Sequence, residues 1–134
     1  MSANTTPIFT RSALLSSGTL TYAQVSAANT NRDGTGTVVT VVTGGADGTR
    51  IDSVLAKAIV TTTAGMVRLY LGDGTNIRLI HEMTVDAITA SGTVAAWVEE
   101  WTPTQPIILA PSDLLIASTN NAEAINVFAF GAHY

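Results

Sequence analysis

The chain has no cysteine, and charged side chains make up only 12% of its 134 residues, about half the ~25% of an ordinary soluble domain. The first absence excludes a disulfide framework and thiolate metal sites. The second leaves the surface with few of the usual means of staying hydrated and separate. Basic residues number six: Arg11, Arg32, Arg50, Lys57, Arg68 and Arg78. They are scattered, whereas a nucleic-acid surface needs several phosphate contacts from one basic face, so no nucleic-acid partner is expected. No apolar run approaches the ~20 residues that span a bilayer as a helix, and no membrane partner is expected. Met1–Thr10 has no basic stretch followed by an apolar one, so synthesis in a cytoplasm without a secretory signal is expected.

What is abundant is apolar and small polar: 46% hydrophobic residues, with Thr, Ala, Ser, Asn and Gly in short runs. One domain of this length can bury a core without covalent staples. Residues 1–18 read as an N-terminal arm or flexible segment, with Ile8, Phe9, Leu14 and Leu15 as its apolar anchors. Residues 19–134 read as the folded domain.

Within that domain, runs of β-formers alternate with clusters of Gly, Asp, Asn and Pro. Thr19–Ala27 is followed by the turn-rich Asn29–Gly36, and Thr37–Thr43 contains only Thr and Val. Arg50–Thr63 is apolar on both faces; a helix over Ser53–Val60 competes with the β-branched run that follows, and a central strand is favoured. Met66–Leu71 and Ile77–Met83 flank Gly72-Asp73-Gly74-Thr75-Asn76 and predict a hairpin, with Ile77, Leu79 and Met83 matching Val67, Leu69 and Leu71. Thr93–Thr102, Leu114–Ser118 and Ala124–His133 complete the set. About eight strands at such spacing, with no amphipathic helix, predict an all-β fold: a two-sheet β-sandwich, jelly-roll-like.

Chemistry is sparse. His81 and Glu82 are neighbours on a strand and point to opposite faces, and His133 is penultimate. No nucleophile elbow, phosphate cradle or ligand-spaced metal cluster occurs, so neither an enzyme nor a cofactor is expected. The Asp33-Gly34 and Asp73-Gly74 loops lack the dense oxygen pattern of a calcium site and read as turns. Trp97 and Trp101 share a strand face about 13 Å apart. A subunit interface is the favoured role for them, ahead of the core edge and of a sugar-stacking platform. Phe128, Phe130 and Tyr134 join them as subunit-interface candidates.

Three blocks carry a likeness to a known family: Ala28–Thr37, Thr62–Ile80 around Gly72-Asp73-Gly74, and Ala117–Gly131 with Asn120-Asn121-Ala122-Glu123. They resemble a family of small tailed-bacteriophage virion proteins found among head-decoration and other structural products. The resemblance implies a β-sandwich that sits on the capsid surface, bound to the major capsid protein, commonly as a homotrimer, and stabilises the head. It carries over no active-site residues. The function expected is therefore that of a capsid decoration (cement) protein, with Ile8, Phe9, Leu14 and Leu15 as the capsid-docking arm. A carbohydrate- or receptor-binding module of a tail fibre or spike is the alternative, using the tryptophan face and the Asp/Asn loops.

Overall fold

The computed structural model describes residues 9–16 and 19–134, and Ile8 lies outside them. The strands are β1 (Ser12–Ala13), β2 (Leu15–Ser16), β3 (Thr19–Leu20), β4 (Tyr22–Val25), β5 (Val39–Thr43), β6 (Thr49–Ala58), β7 (Gly65–Gly72), β8 (Ile77–Val85), β9 (Val98–Trp101), β10 (Ile107–Leu109), β11 (Leu114–Thr119) and β12 (Ile125–His133). Ten of them form two antiparallel sheets. In the six-stranded sheet, β12 and β6 are central. β1 and β4 line the far side of β12, and β9 and β10 line the far side of β6. The second sheet runs β5-β11-β7-β8, and β2 and β3 make a separate small ribbon.

The pairing is nested: β7 with β8, β6 with β9 and β10, β5 with β11, β4 with β12. The chain is thus one long hairpin, bent at Asp73-Gly74, whose two arms pair throughout and then roll up. The contacts β6–β12 and β7–β11 close the roll. This is the jelly roll, and the hairpin legible in the sequence is its innermost turn. Gly74, at φ +88°, supplies the left-handed residue, while the Asp73 carboxylate accepts from the backbone N–H groups of Thr75 and Asn76.

Between the sheets lie Val25, Val41, Val42, Ile51, Val54, Ala56, Val67, Leu69, Met83, Leu115, Ala117, Ile125, Val127 and Ala129. Burying each Val, Leu or Ile contributes roughly 1.5–3 kcal/mol before entropy is counted, so the alternating strands specify which faces meet. Three bulges adjust that alternation. In β5 the register skips Val41, which lets two consecutive valines, Val41 and Val42, both be buried. In β8 it skips Ile80, and this corrects the expected hairpin faces. Met83 still opposes Val67, but Ile77 and Leu79 oppose Gly72 and Tyr70 and share the outer face with them. The third bulge skips Asp52 opposite Phe130 and Gly131.

Two expected strands are shorter than their sequence runs. β6 ends at Ala58, not Thr63, because the chain leaves the sheet after Ile59 donates to Ala124 and crosses toward the other sheet, where Thr62 bridges Ile88. β9 begins at Val98, since Ser91 Oγ accepts from the N–H groups of Thr93 and Val94 and holds that stretch in a turn. Part of the arm expected over residues 1–18 joins the sandwich, while Leu15–Ser16 pairs only with β3. β1 pairs with the end of β12, and Leu14 is fully buried in the chain's own core.

At Gly131 the backbone of β6 approaches so closely that an added Cβ would run into the Arg50 carbonyl. Gly131→Ala is expected to destabilise the fold by about 2–3 kcal/mol, a drop in melting temperature on the order of 10 °C by calorimetry.

Candidate interaction surface

Both histidines are engaged within the chain. His81, on the inner side of β8, stacks on Trp101 with ring centroids 4.4 Å apart and planes 7° from parallel, joining the edges of the two sheets. His133 Nδ1 lies 2.6 Å from Thr49 Oγ1, which also accepts from the Gly45 N–H at 2.9 Å. Thr49 is fully buried, so its hydroxyl is closed to any substrate. Among the described residues no group of three or more His, Asp or Glu side chains is placed to hold a metal ion. A cleft of about 340 Å³ lies between the tip of the β7–β8 hairpin and β10, lined by Leu71, Ile107, Leu109, Arg78, Asp73 and Asp113. Both carboxylates there already serve turns: Asp73 accepts from Thr75 and Asn76, and Asp113 from the Ala110 N–H.

The two outer faces of the sandwich are treated differently. The face of β5-β11-β7-β8 is covered by the chain's own loop 28–37. Arg68, 3% exposed, reaches from β7 into a polar cluster: Nε donates to Glu82 Oε2 at 3.2 Å, and Nη1 donates to the Asn29 carbonyl at 3.1 Å. Glu82 also receives Arg32 from the loop at 3.0 Å. The Tyr70 hydroxyl donates to the Asn31 carbonyl, and the buried Asn29 amide donates to the carbonyls of Thr35 and Thr37. At φ +85°, Gly34 lies against Ile77, with no room for a side chain. Sequence reasoning missed this cluster. Arg68 in an alternating strand reads as a solvated position, and only the Asn-rich loop in the same chain hinted at a cover.

The outer face of the six-stranded sheet is open among the described residues. Cross-strand register arranges it in rows: Tyr22, Phe128, Leu55 and Glu100; then Gln24, Asn126, Lys57 and Val98; then Phe130 beside Ser53. Tyr22 and Val98 are each 52% exposed and Phe130 36%, while Tyr22 and Phe128 hold their rings 5.7 Å apart. Two of the polar groups between them are already paired within the chain. Gln24 Nε2 donates to Asn126 Oδ1 at 2.9 Å, and Lys57 Nζ to the Ala96 carbonyl at 2.6 Å. Covering this face would leave few hydrogen bonds unmet.

The interface candidates therefore separate. Phe128 and Phe130 lie on the open face. Trp97 does not: it is 3% exposed and packs in the core, because the alternation of β9 turns Val98 and Glu100 outward instead. Trp101 is half-buried on the inner side, so the two tryptophans form no exposed stacking platform. Tyr134 is half-buried beyond β12, where its N–H donates to the Gly48 carbonyl and its ring lies against Gly48. Of the arm candidates, Leu14 is buried within the chain, Leu15 is half-buried and Phe9 is 77% exposed. Leu14 thus has no surface with which to dock a capsid.

No family model matches the chain, no curated protein matches it, and no solved structure matches it.

Arg68→Met would take the donor from the Asn29 carbonyl and one of the two arginines from Glu82, which keeps Arg32. Because Glu82 retains some solvent contact, the expected cost is roughly 2–3 kcal/mol in denaturant unfolding, with faster amide exchange confined to residues 29–37. A second expectation concerns acid. Asp33, through the hydroxyl and N–H of Thr35, and Asp73, through the N–H groups of Asn76 and Thr75, are held below the ordinary carboxylate pKa. A lowered folded-state pKa contributes stability above the unfolded value, and that contribution is lost as pH falls through the folded value. The double variant Asp33→Asn, Asp73→Asn is therefore expected to lose less melting temperature than the native chain on going below about pH 4.

Proposed function

We propose that this protein is a structural virion component, a capsid decoration (cement) protein that acts as a homo-oligomer on the surface of a phage head. The observation that carries this reading is the unequal treatment of the two sheet faces. The centre of one is covered by the chain's own loop, and the other is left open with Tyr22, Leu55, Val98, Phe128 and Phe130 around the internally bonded Gln24, Asn126 and Lys57. A monomer that lives alone has no use for such a face. The three sequence blocks that resemble small phage virion proteins supply the context, and the jelly roll is an architecture used by viral capsid domains.

The role is mechanical. Each subunit adds small neutral contacts that lattice symmetry multiplies, and low charge keeps the desolvation cost of each contact small. Phe9 is exposed at the start of the described chain, which supports it as the arm contact with the major capsid protein. The alternative of a carbohydrate- or receptor-binding tail module draws on the tryptophan pair and the Asp/Asn loops; the burial of Trp97 removes the first support, and Asp33 and Asp73 in the loops already bond their own turns.

Quantitative mass spectrometry of purified virions checks the reading. Hundreds of copies per particle, lost together with resistance of the head to heat or chelator, are expected. A handful of copies located at the tail would overturn it.

A further inference from the structure

The open face is self-complementary. Register places Val98 on β9, Leu55 on β6 and Phe130 on β12 along one diagonal. Val98 stands beside Lys57, Leu55 beside Glu100 and Phe128, and Phe130 beside Ser53. Lys57 and Glu100 therefore flank this apolar diagonal on opposite sides. A two-fold axis laid along it brings Val98, Leu55 and Phe130 onto their own copies. The same operation carries Lys57 of each chain over Glu100 of the other, and the Phe128 ring toward the other chain's Ser53, the smallest side chain in that part of the face.

We propose that a second copy of this chain covers the outer face of the six-stranded sheet, packed sheet to sheet about this axis. This deepens the decoration-protein reading by specifying the subunit contact, and it rests on that reading only for its biological setting. Charge argues for this occupant. Apart from the Arg50–Asp52 pair at its far end, the face carries among the described residues one cation, Lys57, and one anion, Glu100. An anionic partner such as nucleic acid or a lipid surface has nothing to recognise, whereas a two-fold copy pairs both charges. Area agrees. The four strands β4, β12, β6 and β9, of four, nine, ten and four residues at ~4.8 Å spacing and ~3.3 Å rise, project to about 430 Å². Side-chain relief raises the accessible area toward the roughly 800 Å² per partner of a stable interface. A three-fold ring joins two different patches and makes no use of a self-complementary one, so the geometry favours a dimer over the trimer that the family resemblance implies.

Analytical ultracentrifugation of the purified chain tests this, with thermal melting of each variant as the folding control. The native chain is expected to sediment as a dimer, twice its 13.9 kDa. Val98 and Glu100 are exposed, so substitutions there leave the core intact. Val98→Asp, which sets two carboxylates against each other on the axis, is expected to weaken dimerisation by about a hundredfold. Lys57→Glu and Glu100→Lys should each weaken it about tenfold, and the double exchange should restore it. A monomer overturns the proposal, including one whose face is protected from amide exchange only on capsid lattices. So does a trimer, or a dimer indifferent to Val98→Asp and to the charge exchange. A dimer that behaves as described but is missing from virions would uphold this contact while defeating the decoration role.

Discussion

The long antiparallel ladder between β6 and β12 is the interaction on which the rest of the molecule depends. Nine register pairs, from Ile125 with Ala58 to His133 with Thr49, join segments far apart in sequence. Without that ladder the nested hairpin would remain an open ribbon, with β4 and β1 attached only to β12 and with β9 and β10 attached only to β6. The closure entropy for so distant a pairing is recovered only when the inner faces meet, so the fold forms as a unit. Small residues make the ladder compatible with close sheet packing. Ala56, Ala58 and Ala129 sit on its inner face beside Val54 and Val127, while its outer face keeps Leu55, Lys57, Phe128 and Phe130.

Two consequences follow from that geometry. The inner faces of both sheets are consumed by the core, so any further role must use the outer faces, the edges or the sandwich ends. One outer face is then consumed by the loop that Arg68, Tyr70 and Glu82 hold down. A buried guanidinium with forked hydrogen bonds is suited to clamping such a loop, because it bonds a carbonyl and a carboxylate at once, which an ammonium does with less geometric definition. The remaining face lies directly over the β6–β12 ladder, the most firmly paired part of the protein. An interface built there is preorganised, and its side chains lose little freedom on contact.

Much of the architecture is legible in the residues. The Gly-Asp-Gly-Thr-Asn turn, the β-branched composition of residues 37–43 and the aromatic spacing of the closing strand point to strands and turns that are present. Positions beside bulges, such as Ile77 and Leu79, face differently from what alternation predicts, because a bulge changes the facing of every residue beyond it without altering local propensity. Trp97 departs from expectation for a related reason. Period-2 alternation separates Trp97 from Val98 but does not say which of them faces the core, and the presence of Glu99 on the tryptophan side suggests an open face that β9 turns inward.

Local chemistry in the sequence therefore determined which segments are strands, where the chain turns, and that no thiol chemistry is available. β-branched and aromatic alternation and Gly-Asp turns act over a few residues, whatever surrounds them. Tertiary structure decided which face is inside and which outer face is covered. It also decided that Arg68 is a clamp rather than a surface charge, and that Leu14 belongs to the core rather than to a free arm. Those outcomes depend on register between strands tens of residues apart, and register is settled by the whole set of inner faces packing at once, not by any one strand.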